Sequence, residues 1–213
     1  RGCVKMTDVI LRDAQRGPAD EAAVTWDLET ATDQMYSIKL GSKWEATLRA
    51  VVAQPGHAWS VERARIAEID GSMVGVLLGA PATTPMPEGS LGLAWGWTRL
   101  RLWAVSLSGR AFLNFMSEHG PGEWYITAVA VMPEARGKGV GAVLLEDAIT
   151  RARDAGATSV TLDVDDRNVG AQRFYGRYGF EVTGASPPAR LWRGVRVFRM
   201  RLALASDNDQ PSV

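Results

Sequence analysis

The chain has 213 residues, 46% of them hydrophobic, so it is long enough for one domain with a filled core, with or without an insertion. Its 24 basic and 24 acidic side chains cancel, which excludes a global field that would recruit nucleic acid or an anionic membrane. No apolar run reaches the roughly 18 residues of a membrane-spanning helix, and the single cysteine, Cys3, cannot form an internal disulfide.

The first part of the chain predicts a short strand, two helices and a β-hairpin. Asp20 and Ser42 are the predicted N-caps of the two helices, because a side-chain oxygen at that position accepts a free backbone N–H. Asp70-Gly71 predicts the tight turn of the hairpin. In chain order, the predicted elements are a strand at 9–11, helices at 21–28 and 42–53, and strands at 64–69 and 73–78.

A segment rich in tryptophan and arginine follows the hairpin, at about 81–122, as a predicted insertion. Its residues 91–116 contain three tryptophans and three arginines and lean toward helical spacing. We expect a helical segment that packs its tryptophans on the domain and keeps its arginines solvated, and a pocket wall or a subunit contact are alternatives. The other predicted boundaries are a single domain over 1–205 and a disordered tail over 206–213.

The second half alternates strands and helices. Trp124 to Met132 predicts a buried strand, which Pro133 ends, and the i+4 spacing of apolar residues from Val140 predicts a long helix. The elements predicted after it are a strand at 159–164, a helix at 169–178, a strand that begins at 180, and a strand at 195–202 with one solvated face.

A glycine-rich loop, Arg136-Gly137-Lys138-Gly139-Val140-Gly141, joins the strand before Pro133 to the long helix. This arrangement suits phosphate, because glycines let the backbone approach an anion and the first N–H groups of a helix have no partner within it. A Walker loop is excluded, since no Gly-Lys is followed by Ser or Thr.

A dinucleotide fingerprint also matches the loop, at Gly137, Gly139 and Ala142, with Asp163 and Asp165 as candidate ribose ligands after the next strand. Two features weaken this reading. Residues 133–136 separate the strand from the first glycine, whereas a dinucleotide loop turns tightly out of its strand. The motif also lies late in the chain, which leaves too few residues for the remaining strands of a doubly wound sheet.

The loop and a second segment together resemble the GNAT superfamily of N-acetyltransferases. The loop matches the superfamily's Arg-x-x-Gly-x-Gly motif for the acyl-CoA pyrophosphate, and Asn168 to Phe180 matches its Asn-x-x-Ala-x-x-x-Tyr-x-x-x-Gly-Phe segment. The resemblance is specific over about 124–183. It implies an α/β (α+β) fold, a mixed, mostly antiparallel twisted sheet with helices on both faces, splayed at a central parallel strand pair.

By this resemblance the cofactor is acetyl-CoA, with its pantetheine arm paired to strand backbone and its pyrophosphate in the loop. Asn168 would bond the cofactor and also cap the helix that follows. Tyr175 matches the superfamily tyrosine that protonates the departing thiolate, and a phenol with an ordinary pKa of about 10 is a neutral donor at pH 7. The implied cofactor-binding residues are Val129, Ala130, Val131, Arg136, Gly137, Lys138, Gly139, Val140, Gly141, Ala142 and Asn168.

The general base is left open by the sequence. Some superfamily members place a carboxylate at the strand position that is Tyr125 in this chain. Glu123 lies two residues earlier, on the same face of a regular strand, and is the first candidate. Glu68, Asp70 and a relay through bound water are the alternatives.

The sequence therefore predicts an N-acetyltransferase that moves an acetyl group from acetyl-CoA to an amine by direct attack in a ternary complex. A non-catalytic CoA-binding sensor or regulatory module, and a dinucleotide-dependent oxidoreductase, are the alternatives. We expect a small-molecule or peptide amine as acceptor, no nucleic acid, no membrane, and leave a homodimer open. With no signal peptide, the expected location is cytoplasmic. His57 and His119 are expected in surface loops, and no metal site is predicted.

Overall fold

Seven strands and six α-helices form from the residues that the computed structural model describes, which are 8–87, 110–189 and 194–204. The strands are β1 (Ile10–Asp13), β2 (Ala64–Ile69), β3 (Ser72–Pro81), β4 (Glu123–Val131), β5 (Ser159–Asp165), β6 (Glu181–Ala185) and β7 (Val197–Ala203). The helices are α1 (Pro18–Ala31), α2 (Met35–Leu40), α3 (Trp44–Val52), α4 (Arg110–Ser117), α5 (Val140–Asp154) and α6 (Val169–Arg177). Short 3-10 turns lie at Gly41–Lys43, Val61–Arg63 and Pro133–Ala135.

The strands form one sheet in the order β1-β2-β3-β4-β5-β7-β6, mostly antiparallel, with β4 and β5 parallel. This confirms the mixed sheet predicted from the sequence. The β2–β3 hairpin is also confirmed, since Asp70 and Gly71 have φ of 52° and 72°, the left-handed values that a two-residue hairpin turn favours. Strand β7 pairs antiparallel with both β5 and β6, and Asp163 stands opposite Arg199.

The predicted N-caps of the first two helices are wrong. Helix α1 begins at Pro18, and the Asp20 carboxylate receives two hydrogen bonds from Arg12, at 2.6 and 2.8 Å. Helix α3 begins at Trp44, so Ser42 lies in the preceding 3-10 turn and not at the cap. In the first case the reason is tertiary, because the Asp20 carboxylate accepts hydrogen bonds from Arg12 of β1 and from the N–H of Gln15, which precedes the helix.

Helix α2 has no counterpart in the prediction, which placed nothing between the first two helices. Its first turn is held by Glu29 of α1, whose carboxylate accepts the backbone N–H of Tyr36 at 3.0 Å and of Ser37 at 3.1 Å. These bonds satisfy donors that every helix leaves free at its start. A carboxylate seven or eight residues away thus takes the role of a local N-cap.

The described residues divide into two compact units, and the first holds residues 8–80, 84–87 and 126–148. Helices α1 and α3 cover one face of its strands. A Cβ at Gly75, on the opposite face, would meet the Val140 and Leu144 side chains of α5 at 3.0 and 3.1 Å. Helices therefore cover both faces of the sheet in this unit, as predicted. Its core includes the buried residues Val24, Leu28, Leu48, Val52, Ile66, Val76 and Leu78.

The second unit holds residues 81–83, 110–125, 149–189 and 194–204. In this unit Phe112 of α4 packs in a small core with Ala189, Val195 and Val197. The described parts of the predicted insertion are residues 81–87 and 110–122, and the second of them contains helix α4. Residues 88–109 of the insertion and the predicted tail lie outside the described residues. Within the described ranges, no helix combines the length and the apolar character that crossing a membrane requires.

Candidate functional site

The glycine-rich loop lies in the first unit, between the end of β4 and the start of α5. Its chain passes through the 3-10 turn at Pro133–Ala135, and Gly137 and Gly139 then take φ of 74° and 84°. These left-handed values strain any residue that carries a Cβ, which is why glycine suits both positions. The two glycines bring the chain directly into the first turn of α5.

Three backbone N–H groups at the start of α5 can donate hydrogen bonds to a ligand. Among the described residues, the amides of Gly139, Val140 and Gly141 donate to no hydrogen bond. Such N–H groups and the helix dipole together make a helix N-terminus attractive to anions. The side chains of Arg136 and Lys138 are exposed in the same loop and add positive charge.

Two other groups predicted to bind the cofactor already have partners within the chain. The N–H of Ala142 donates to the Gly139 carbonyl at 2.9 Å. The Nε of Arg136 donates to the Val131 carbonyl at 3.2 Å, which ties the loop to the end of β4. A ligand in the loop must share these groups or replace their bonds, so the amides without partners are the stronger candidates.

At the end of β4, the candidate cofactor-binding groups are backbone groups and not side chains. Val129 and Val131 point to the half-buried face of the strand, and Ala130 points into the core with 4% of its surface exposed. The carboxyl group of Asp27 on α1 is fully buried, and neither oxygen has a hydrogen-bond partner of regular geometry among the described residues. Burial raises the pKa of Asp27 well above its usual value, and the N–H of Ala130 lowers it only in part.

The second motif lies in the second unit, at α6. Asn168 is the N-cap of this helix, as predicted, since its Oδ1 accepts the N–H of Ala171 at 3.0 Å. Tyr175 lies in the last turn and is half-buried, with its ring centroid 5.2 Å from that of Phe174 and 5.7 Å from that of Phe180. The aromatic contacts fix the ring of Tyr175.

A polar cluster in the second unit surrounds Glu123, the first residue of β4, whose side chain is 11% exposed. Its Oε2 accepts a hydrogen bond from Thr161 Oγ1 at 3.4 Å and lies 3.9 Å from Nδ1 of His119. This Nδ1 is buried and has no hydrogen-bond partner among the described residues. Glu123 therefore faces an imidazole nitrogen without a hydrogen-bond partner in the described part of the chain.

The expectation that His119 lies at the surface is wrong. Its side chain is 14% exposed, and its ring lies on that of Tyr125 with centroids 4.3 Å apart. Burial, followed by the positive charge of Arg199, lowers the pKa of His119 below its usual value, while Asp163 and Glu123 act in the opposite direction. The imidazole is therefore neutral at pH 7.

A buried ion pair between β5 and β7 supports this cluster. Arg199 donates two hydrogen bonds to Asp163, at 2.8 and 3.0 Å, and the Asp163 side chain is 2% exposed. The Tyr125 hydroxyl donates to the same carboxylate at 3.0 Å. Arg199 also donates to the backbone carbonyls of Phe115 and Glu118. Burial lowers the pKa of Arg199, but Asp163, Tyr125 and Glu123 together raise it by more, so the guanidinium stays charged.

The other candidate bases lie in the first unit and have structural roles. Glu68 forms an ion pair with Arg12 at 2.6 Å, and Asp70 occupies the β2–β3 turn. His57, also expected at the surface, is 7% exposed, and both of its ring nitrogens are used. Its Nε2 lies 3.1 Å from the carbonyl of Val51, and its Nδ1 accepts the N–H of Trp59 at 3.1 Å.

The carboxylates that favoured a dinucleotide are engaged elsewhere. Asp163 is paired with Arg199, and Asp165 forms an ion pair with Arg167 at 2.6 Å. Arg167 accordingly lowers the pKa of Asp165, against the opposing effect of burial. Both carboxylates are already paired with an arginine, and the Asp163 side chain is only 2% exposed, which counts against that alternative.

Sequence reasoning missed the residues that support the cluster. The alternating pattern near 195–202 places Arg199 in a strand, but its carboxylate partner lies 36 residues earlier and one of its carbonyl partners 84 residues earlier. No local pattern connects these positions. The one signal that could have found His119 is its spacing of four residues from Glu123.

Comparison with known proteins agrees with both motifs. The acetyltransferase (GNAT) family model matches residues 23–180. N-acetyltransferase 8B from Rattus norvegicus is 34% identical over 80 residues, which cover 37% of this chain and 36% of the rat protein. Peptidyl-lysine N-acetyltransferase YjaB from Salmonella typhimurium is 37% identical over 62 residues, which cover 29% of this chain and 39% of that protein. The matches thus span little more than a third of these relatives.

The fold is also that of solved acetyltransferases. A chain in the crystal structure of the NatC complex bound to Gag peptide and CoA superposes with a TM-score of 0.60 at 15% identity, over 93% of this chain and 99% of that one. At this identity the likeness speaks for the fold alone. The family match, in contrast, spans most of the chain and includes both the loop and the helix with Tyr175. The chain therefore belongs to the acetyltransferase (GNAT) family.

Proposed function

We propose that this protein is an N-acetyltransferase that uses acetyl-CoA and transfers the acetyl group directly to a primary amine. The observation that carries the proposal is the start of α5, where the N–H groups of Gly139, Val140 and Gly141 have no partner among the described residues. A diphosphate is the ligand that such a helix start, with Arg136 and Lys138 beside it, binds best.

Different residues of this chain bind different parts of acetyl-CoA. The loop amides and the two basic side chains hold the pyrophosphate. The backbone of Val129, Ala130 and Val131 holds the pantetheine arm, and one of these amides donates to the thioester oxygen as negative charge develops on it. Asn168 adds a hydrogen bond to the cofactor while it caps α6.

The chemistry needs one proton removed and one supplied. The amine gives up a proton at the polar cluster around Glu123, and its lone pair attacks the thioester carbon. The carbon–sulfur bond breaks, and the sulfur takes a proton from the Tyr175 hydroxyl. A positioned acid of this kind is worth roughly 10²–10⁴ in rate. No acyl-enzyme is formed, since the acetyl group passes directly between the two substrates.

For the acceptor we propose a primary amine of a peptide, above all a lysine side chain. The support is that one relative is named a peptidyl-lysine N-acetyltransferase. A single-domain organisation over 1–205, a cytoplasmic location and the absence of nucleic-acid and membrane partners stay predictions from the sequence.

Two measurements test this function. Calorimetry should detect binding of acetyl-CoA, whereas NADH should give no heat. Release of free thiol should then be followed with acetyl-CoA and a panel of amines that includes lysine peptides, peptide N-termini and small amines. Binding without thiol release in every case would favour the CoA-binding sensor, and binding of NADH in place of acetyl-CoA would favour the oxidoreductase.

A further inference from the structure

We propose that His119 and Glu123 form one binding site for the nitrogen of the acceptor amine, and that Nδ1 of His119 is the atom that takes its proton. This inference rests on the proposed function and deepens it. In the step, an N–H bond of the bound ammonium breaks and an N–H bond forms at Nδ1. The electron pair stays on the acceptor nitrogen for attack on the thioester, and the carboxylate of Glu123 stabilises the imidazolium.

The first support is that Nδ1 of His119 is buried without a hydrogen-bond partner among the described residues. Buried polar atoms in folded proteins are nearly always satisfied by protein, water or ligand. This nitrogen lies 3.9 Å from the carboxylate of Glu123. In the tautomer that carries its proton on Nε2, Nδ1 and the carboxylate oxygen are both acceptors. Two acceptors that face each other need a donor between them.

The second support is the size and charge of that gap. One nitrogen at ordinary hydrogen-bond lengths of about 2.9 Å reaches two acceptors that are 3.9 Å apart. An ammonium has enough N–H groups for both, and its positive charge is attracted by the carboxylate. The side chains keep exposures of 14% for His119 and 11% for Glu123, although Nδ1 itself is buried. The ligand class is therefore a primary amine.

The third support is that the imidazole is held in place and kept neutral. Its ring lies on Tyr125, and Arg199 fixes the segment before it through the Phe115 and Glu118 carbonyls. The ionisable and charged groups that face the ring are Glu123 and Tyr125 of β4, Asp163 of β5 and Arg199 of β7, with the carbonyl of Met116 beside them. Burial and Arg199 oppose a second positive charge, so the free imidazole is ready to receive a proton.

Kinetics of two variants test the pair. His119→Phe keeps an aromatic ring against Tyr125 but removes both nitrogens. We expect it to lower kcat/KM for the best amine of the screen by about 10²-fold or more, with the dissociation constant of acetyl-CoA unchanged. His119→Asn retains an acceptor near the position of Nδ1. It should keep the amine KM close to that of the wild type, lower kcat, and lose the acid limb of the wild-type pH profile.

A binding measurement on the wild type needs no turnover and no variant that must fold. The chain has two histidines, so their ring resonances form two sets in a ¹H–¹³C NMR spectrum. The probe is Nα-acetyl-lysine methylamide, which has one primary amine, and its Nε-acetylated form is the control. The probe should shift the His119 resonance saturably and leave that of His57 in place, because both nitrogens of His57 are already bonded. The control should shift neither.

The outcomes separate the two proposals. If the wild type releases no thiol with any amine, the proposed function fails, and the NMR titration still decides whether the pair binds an amine. If the wild type turns over but His119→Phe matches it in kcat/KM and pH profile, the role of His119 is overturned while the proposed function stands. An unmoved His119 resonance at saturating probe would also overturn it.

Discussion

Two buried carboxyl groups in this chain, those of Asp163 and Asp27, differ in the partners that surround them. Asp163 is almost completely buried but is neutralised by Arg199 and receives the Tyr125 hydroxyl. Asp27 is equally buried, has no hydrogen-bond partner of regular geometry among the described residues, and has a pKa that burial raises. The first group supports a site, whereas the second is a source of pH-dependent stability.

Removal of the Tyr175 hydroxyl tests the proposed acid. Tyr175→Phe should lower kcat at least tenfold and leave the affinity for acetyl-CoA similar, because the ring contacts with Phe174 and Phe180 remain while the proton donor is lost. Steady-state kinetics and calorimetry measure the two quantities. Tyr178→Phe, one helical turn away against Phe174, is the matched control and should keep the wild-type kcat. Equal turnover in the two variants would remove the role of Tyr175.

Stability should depend on pH through Asp27. Because its pKa is raised in the folded state, the folded chain keeps a proton that the unfolded chain releases above about pH 4. The stability present at low pH is therefore lost as the pH rises toward the folded pKa. Asp27→Asn removes this term, so the variant should gain stability relative to the wild type between pH 4 and pH 8, by about 1.4 kcal/mol for each unit of pKa shift.

Urea denaturation at pH 4, 6 and 8 measures this difference. Asp154→Asn, which removes an exposed carboxyl at the end of α5, controls for the loss of one negative charge. Wild type and Asp27→Asn with parallel pH profiles would contradict the account.

At the scale of elements, the glycines of the loop and of α6 serve different purposes. Gly137 has φ of 74°, and a Cβ there would meet no atom within 4 Å, so an added side chain would be strained by the backbone alone. Gly176 lies inside α6, also with open space around its Cβ position, at an ordinary helical φ. Alanine should therefore have opposite effects at the two positions.

Gly137→Ala should destabilise the loop conformation by about 1–2 kcal/mol. If the loop binds the diphosphate in this conformation, the dissociation constant of acetyl-CoA should rise about tenfold. Gly176→Ala should instead stabilise the fold by about 0.5–1 kcal/mol. Chemical denaturation measures the stability of both variants, and calorimetry measures their affinity for acetyl-CoA. A Gly137→Ala protein as stable as the wild type, with unchanged affinity, would show that the left-handed backbone does not matter.

At the scale of the whole molecule, the balance of charge governs behaviour in solution. The 24 basic and 24 acidic side chains leave no net charge at pH 7, so molecules of this protein lack mutual repulsion there. The proposed recognition of an anionic cofactor would then rest on local groups such as the loop amides, since the net charge provides no overall attraction.

Solubility should accordingly pass through a minimum near pH 7. Precipitation with polyethylene glycol at pH 5, 7 and 9 measures it, and the protein should remain soluble at higher polymer concentration at either extreme. The same series at 0.5 M salt is the control, because screening should reduce the differences. A minimum far from neutrality would mean that buried ionisable groups dominate the net charge.

Short-range patterns in the sequence were enough to predict the hairpin, the loop, α5, α6 and the strands on either side of the loop. Each depends on residues within one or two turns, such as the Asp70-Gly71 turn, the i+4 stripe of α5 and the cap at Asn168. The predicted caps at Asp20 and Ser42 were wrong, and helix α2 was missed. For Asp20 and α2 the reason is a partner distant in the chain, since Arg12 binds the Asp20 carboxylate and Glu29 holds the first turn of α2.

By itself, the sequence determined the order of most elements, the family and the residues of the glycine-rich loop, because glycine positions and hydrophobic periodicity act locally. Only the tertiary structure decided which ionisable groups meet. The contacts between Arg199 and Asp163, Tyr125 and Asp163, and Thr161 and Glu123 join residues 36 to 38 positions apart. The burial of His119 and Asp27 depends on neighbours from several elements, and burial is what sets whether such groups carry charge.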